Sequence, residues 1–209
     1  MRIVVFGAGG AVGSRVVNEA LARGHEVTAV SRRAVAVPPG AHGRIGDAGD
    51  VDDVEKLSAG QDLVIAATRP SPGAEAELPR VTAALLEGVT RSGVRILVVG
   101  GAATLTVPGA GVALSESEGF PAELAAIARA CAEQLAACRA DDGADWTYLS
   151  PPAELAPGVR TGGYRVGADE LLVDADGESA ISMEDFAVAL LDEAERPAHR
   201  RTRFTVAAR

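Results

Sequence analysis

The sequence predicts an α/β protein built on a doubly wound, mainly parallel sheet with helices on both faces. Three observations predict it. Strand-like apolar runs alternate with stretches of helical periodicity, a glycine-rich turn joins the first run to the first helix, and 209 residues with 47% hydrophobic content suffice for one sizeable core. Such alternation implies parallel strands joined by right-handed crossovers, which restricts the topology to this class.

The expected elements follow in order. Ile3 to Phe6 is a short apolar strand, and Ala11 to Ala22 carries apolar residues at helical spacing, closed by Gly24. Val27 to Val30 is a second strand, Arg44 to Ile45 a short third, Val51 to Ala59 a helix and Asp62 to Ala67 a fourth strand. A Pro-rich loop spans Arg69 to Gly73. Glu75 to Ser92 then has a helical pattern, Val94 to Val99 is strongly apolar, and the alanine-rich helix Ala122 to Ala140 leads to the strand Trp146 to Leu149. After Pro151 and Pro152 the rhythm changes. Glycines punctuate short β-like pieces at Tyr164 to Val166 and Leu171 to Val173, so residues 151–181 are expected to form a small substrate-side lid on the single domain 1–209. Ser182, with Asp185 three residues on, forms the pattern of a capping box for a helix running to about Glu195, and Arg203 to Val206 is the last strand.

Composition narrows the function. A net charge of −9, from 29 acids and 20 bases, argues against general binding to nucleic acid or anionic membranes, both of which need basic surface. No apolar run approaches the roughly 20 residues that span a bilayer, and the chain starts directly on an apolar strand, so a cytoplasmic protein is expected, as a monomer or homodimer. Cys131 and Cys138 lie seven apart on one helix face and are expected to be free thiols. His25, His42 and His199 share no metal-ligand spacing, and no G-x-S-x-G elbow is present.

The stretch "VVFGAGGAVGSRVV" packs four glycines into seven positions. A turn of this kind, between a first strand and a first helix, points bare backbone N–H groups and the positive helix end at an anion. Gly7, Gly10 and Gly13 recur every third residue, with Ala11 and Val12 between them, and suit a diphosphate: Gly7 for the turn, Gly10 for close approach, Gly13 for packing of the helix. The second strand ends in Ser31, Arg32 and Arg33 where an NAD site carries an acid, so the phosphorylated ribose of NADP(H) is expected. The alternative for the arginine pair is a solvated loop. Asp47 is a candidate for the adenine amino group, or for an Asx turn. Ala67, Thr68 and Arg69 after the fourth strand, and Gly100, Gly101 and Ala102 after the fifth, should line the crevice.

Together, "GAGGAVG", "VSRR", "GDAGDVDDVEKLSAGQDLVI", "GGAATL", "DWTYLSPPAELAPGVRTGGYRVG" and "ISMEDFAVALLDE" resemble the atypical short-chain dehydrogenase/reductase group. This group includes NmrA-like proteins, bacterial NADH-flavin reductases and biliverdin reductase B. The resemblance implies a Rossmann-like fold over nearly the whole chain and hydride transfer from NAD(P)H to a planar acceptor such as a flavin or quinone. It places Thr104 where the group commonly has serine near the nicotinamide, the alternative being a loop or helix-cap hydroxyl, with Pro151 beside the cofactor and Pro152 at the acceptor. Phe120 and Pro121 are candidates for an apolar lip or for helix-entry packing, and Tyr164 for the acceptor wall or for a packing tyrosine on a strand. Two departures matter. The Tyr-x-x-x-Lys pair of ordinary short-chain dehydrogenases is missing, because the only lysine is Lys56 and neither Tyr148 nor Tyr164 has a lysine four residues later. The histidine that often follows the two prolines is Ala153. A redox sensor that binds NADP(H) without turnover, and a biosynthetic isomerase or cyclase on the same fold, remain open.

Overall fold

The computed structural model describes all 209 residues. Five parallel strands come first: β1 (Arg2–Phe6), β2 (Glu26–Ser31), β3 (Ala41–Ile45), β4 (Leu63–Ala66) and β5 (Ile96–Val99). They are followed by β6 (Trp146–Ser150), β7 (Glu154–Ala156), β8 (Tyr164–Gly167), β9 (Ala180–Ser182) and β10 (Thr202–Ala208). The helices are α1 (Ala11–Ala22), α2 (Val51–Ser58), α3 (Leu78–Ser92), α4 (Ala125–Ala140) and α5 (Met183–Glu195). The main sheet has the order β3-β2-β1-β4-β5-β6-β10-β8, parallel throughout except that β8 runs antiparallel against β10. This is a Rossmann-like α/β fold.

Every residue of β4 is buried, as are Ile3 to Phe6 of β1, because helices cover both faces of the sheet. One core lies under α1 and α5 and gathers Ile3, Val5, Leu63, Ile65 and Phe186. The other lies under α2, α3 and α4 and gathers Val4, Phe6, Val64, Leu85 and Tyr148. Alternation along β1 sends successive side chains to the two cores, as the period of a strand requires.

Several sequence-based boundaries shift. The third strand extends to Ala41 because it pairs with β2 along its whole length, although His42, Gly43 and Arg44 are exposed and give no apolar signal. Residues Glu75–Glu77 and Ala122–Leu124 form single 3₁₀ turns ahead of α3 and α4. Leu171 to Val173 is not a strand. Leu171 is instead buried, with its amide donating to the carbonyl of Thr106. The parallel pair β7 and β9 had no counterpart in the sequence pattern.

The expected capping box is half realised. Ser182 Oγ accepts from the amide of Asp185 at 3.0 Å, but the Asp185 carboxylate turns away and accepts from the amides of Thr161 and Gly162 at 2.8 and 2.7 Å. Residues 158–162 are thereby fastened to α5, with Gly158 donating to Glu184 at 2.7 Å and Arg160 Nε to Glu19 of α1 at 2.7 Å.

Candidate functional site

The strand order reverses between β1 and β4, which opens a crevice at their carboxyl ends. Gly7 leaves β1 with φ +80°, and a Cβ there would lie 2.4 Å from the carbonyl oxygen of Ala67. A Cβ on Gly13 would lie 2.1 Å from the carbonyl oxygen of Gly7. These two glycines let three pieces of backbone meet: the turn, the end of β4 and the first turn of α1. Gly10 has more room, with the nearest atom 3.2 Å from an added Cβ.

The turn itself is tied to β2, because the amides of Gly7 and Ala8 donate to the carbonyl of Val30 at 3.1 and 3.2 Å. By contrast the amides of Gly9, Ala11, Val12 and Gly13 have no hydrogen-bond partner within the chain, and the N-cap, Gly10, has no side chain to supply one. Helices α2 and α5 are capped by Asp50 and Ser182. Gly9, Gly10 and Ala11 are exposed, so the positive end of α1 is open to an anion from outside, while Val12 is half-buried and Gly13 buried.

Arg32 and Arg33 follow β2, both exposed and neither in an ion pair. The hydroxyl of Ser31 is spent locally, donating to the carbonyl of Arg33 at 2.6 Å. Asp47 forms the Asx turn, its Oδ1 accepting from the amide of Gly49 at 2.8 Å. Beyond β4, Ala67 is buried, Thr68 half-buried and Arg69 exposed.

The glycines after β5 have a packing reason that the sequence did not show. A Cβ on Gly100 would fall 2.0 Å from the Tyr148 ring, and one on Gly101 would fall 2.7 Å from Cys131 Sγ. The expected close approach of a cofactor is therefore not needed to explain them, and Ala102 follows as a half-buried residue whose carbonyl accepts from Leu105. Tyr148 is fully buried, donates to Gln134 Oε1 at 3.1 Å and accepts from the Gly101 amide at 3.2 Å. Burial pushes its phenol far above the ordinary value. Cys131 and Cys138 are both free thiols; burial raises the first, against the pull of the Arg69 charge, and pushes the second up to about 12.

Thr104 is half-buried and its Oγ1 accepts from Arg203 Nη1 at 2.9 Å. Arg203, on β10, is buried and also donates through Nε to Asp169 Oδ1 at 2.8 Å. Sequence reasoning missed this arginine because it sits inside a strand that reads as core. Phe120 is half-buried, ahead of the exposed Pro121, while Pro151 and Pro152 are buried at the end of β6.

Of the two readings of Tyr164, the structure shows the packing one. Its ring packs on the α1/α5 core and its hydroxyl donates to Asp192 Oδ2 at 2.7 Å, on a carboxylate that also holds Arg23, the C-cap of α1. The glycine turn is at the other end of α1, about 18 Å away at 1.5 Å per residue. The phenol is thus held in the α1/α5 helix layer. Burial and the Asp192 carboxylate both push it well up, so it is a neutral donor.

Residues 7–197 match the NAD(P)H-binding family. This chain belongs to that family. Three solved structures are similar to this NAD(P)H-binding protein over almost their full lengths. An inferred exported protein from Burkholderia pseudomallei is 40% identical, with 99% of each chain covered and a TM-score of 0.91. An inferred epimerase from Bacteroides thetaiotaomicron is 38% identical, covering 99% of this chain and 96% of its own, also at 0.91. An inferred NADH-flavin reductase from Streptococcus pneumoniae TIGR4 is 29% identical, with 100% of both chains covered and a TM-score of 0.87. The bare amides of Gly9, Ala11, Val12 and Gly13 fit the diphosphate of an NAD(P)H-binding protein, since each needs an acceptor and none has one in the chain.

Proposed function

We propose that this protein is an NADPH-dependent oxidoreductase that reduces a flavin, a quinone or a similar planar acceptor without a Tyr-Lys pair. The observation that carries the reading is the pairing of an uncapped, open glycine turn with two unpaired arginines at the end of the neighbouring strand. In this reading the turn from Gly7 to Gly13 holds the diphosphate, and Arg32 or Arg33 takes the ribose phosphate through paired charge-assisted bonds. Ser31 and Asp47 border the adenosine half. Ala67, Thr68, Arg69, Gly100, Gly101, Ala102 and Pro151 border the nicotinamide half. Thr104 meets the acceptor, with Phe120 and Pro152 forming its apolar wall. The bound dinucleotide supplies the hydride, and the chain supplies binding, orientation and the shape that excludes competing reactions. The proposal keeps a small-molecule acceptor, a monomer or homodimer, and the cytoplasm as setting.

A second reading, an isomerase or epimerase that holds the dinucleotide on the same fold, is favoured by the similarity to the Bacteroides thetaiotaomicron protein. A sensor that binds without turnover is the third. Calorimetry with NADPH and NADH, followed by NADPH oxidation in the presence of FMN, FAD or a quinone, separates the first reading from the other two. Turnover supports the reductase. Tight binding with no turnover on any acceptor gives the reading to the other two.

Arg32→Ala is expected to weaken NADPH by about tenfold or more, the value of a charge-assisted phosphate contact, and NADH by less than about threefold. Equal losses for the two dinucleotides remove Arg32 from the phosphate site.

A further inference from the structure

We propose that Arg203 is a positioning residue which fixes the Thr104 hydroxyl as a hydrogen-bond donor to the acceptor and places a positive charge behind it. The inference rests on the reductase reading above.

A threonine hydroxyl has one proton and two lone pairs, whereas a guanidinium has donors only. In the pair Arg203 Nη1 to Thr104 Oγ1, at 2.9 Å, the threonine oxygen must therefore accept. Its single proton takes part in no hydrogen bond within the chain and is left for a group outside it. A hydroxyl whose oxygen accepts from a cation is a stronger donor, because the two bonds polarise one another.

The arginine is an expensive residue at this place. Its side chain is 4% exposed, while its carboxylate partner, Asp169, is 62% exposed and so well screened by water. Burial of a cation against one solvated anion is often less favourable than a well-packed apolar side chain, so stability alone gives little reason for it. Its surroundings give another. Arg203 pairs in register with Tyr148 on β6, which pairs with Val98 on β5, and Thr104 stands in the segment that leaves β5. Asp169 anchors the far side: it accepts from Arg203 Nε at 2.8 Å and lies 3.3 Å from Arg139, and its carbonyl accepts from the Thr106 amide at 2.9 Å. The segment after β5 and the segment after β8 are thus locked to one guanidinium through Thr104 and Asp169, with a second tie from the Thr106 amide to Asp169.

The chemistry that suits this arrangement is the arrival of an electron pair. A carbonyl-bearing planar acceptor that takes a hydride gains two electrons and one proton, and its oxygen becomes anionic until water supplies a second proton. Thr104 donates a hydrogen bond to that oxygen and keeps its own proton throughout. Arg203 never touches the acceptor. It holds the hydroxyl in the donating orientation and lowers the energy of the negative charge.

A double-mutant cycle tests this with Arg203→Met, Arg203→Lys and Thr104→Val, using FMN as the acceptor. Two readouts are taken: kcat and KM for FMN reduction, and the Kd of oxidised FMN from fluorescence quenching in saturating NADP⁺. Arg203→Met is expected to lower kcat/KM about tenfold and to weaken FMN several-fold, the scale of one charge-assisted hydrogen bond. In the Thr104→Val background the same change should have less than about a twofold effect, because the path to the acceptor is already gone. Arg203→Lys, which keeps the charge, should retain part of the activity, and it carries the cycle if Arg203→Met does not fold. Losses that multiply in the double variant, or a change in thermal midpoint with kinetics and FMN binding intact, overturn the assignment of Arg203. Wild-type protein that neither binds NADPH by calorimetry nor reduces FMN overturns the reductase reading, and this inference with it.

Discussion

Gly7, Gly10 and Gly13 share a residue type and differ in what they are for. An added methyl at Gly13 has no free space, with a backbone oxygen 2.1 Å away, whereas at Gly10 the nearest atom is at 3.2 Å. Gly13→Ala is therefore expected to destabilise the fold by about 3 kcal/mol or more, since backbone on both sides must move. Gly10→Ala should cost under about 1.5 kcal/mol while raising the Kd for NADPH at least tenfold, because its methyl stands between the bare amides and the diphosphate. Urea denaturation and calorimetry on the two variants separate the roles, and a Gly10→Ala protein that binds NADPH normally removes that glycine from the cradle. The sequence motif marked both positions but could not rank them, since spacing carries no distances. The same limit holds elsewhere: Ser31 was visible as a polar residue at a strand end, but its hydroxyl is spent on the carbonyl of Arg33, and for Asp47 the structure shows the Asx turn that the sequence had left as one of two readings. For Tyr164 the sequence left an acceptor-wall role and a packing role side by side, and the hydrogen bond to Asp192 shows the packing one.

Among the elements, those with a periodic apolar pattern were legible to within a few residues, as α1, α3, β1 and β5 show. The ones that escaped are β7 and β9, of three residues each. Strands so short exist through their pairing partners, and a parallel pair joins positions that are far apart in the chain. Helix α5 shows how this region is held. Its N-cap Ser182 also donates to the carbonyl of Val159 at 3.0 Å, and Asp185 binds residues 161 and 162, so one helix start organises the segment that the sequence suggested as a lid. Ser182→Ala should cost about 1 kcal/mol from the lost cap. Asp185→Ala should cost more, about 2 to 4 kcal/mol, because it leaves two amides and the Thr161 hydroxyl without their acceptor. Hydrogen exchange provides the sharper check: the amides of Thr161 and Gly162 should lose protection in Asp185→Ala and keep it in Ser182→Ala. Equal protection in both variants means that the segment is held by other contacts, such as Arg160 with Glu19.

For the whole molecule, the end of the sheet opposite the crevice has its own polar centre. Glu193, near the end of α5, is buried and accepts from Arg95 just ahead of β5, from the ring and amide of His199 and from the amide of Ala198. Arg95 also donates to Thr147 of β6 at 2.8 Å, so one ionic cluster links α5 to two central strands. Burial tends to raise the Glu193 carboxyl, but the hydrogen bonds from His199, Arg95 and Ala198 outweigh it and hold the group below the usual carboxylate range. Glu19 of α1 is likewise held low, first by its bond from Arg160, against burial, and then by Arg23. The direction of the pH effect follows from linkage. A depressed folded-state value means that the unfolded chain binds the proton more readily, so the stabilisation is complete well above the unfolded value of about 4.3 and is lost as pH falls below it. Urea unfolding of the wild type should show a constant midpoint from about pH 7 to 6 and a decline that steepens below about pH 4.5. Glu193→Gln should start about 3 to 5 kcal/mol less stable at pH 7, because it leaves the Arg95 cation buried without its counter-ion, and it should then decline less steeply into acid. If the acid limbs of the two proteins are parallel, the proton that unfolds this sheet is taken up elsewhere, and Glu19 with its two arginines is the next group to substitute.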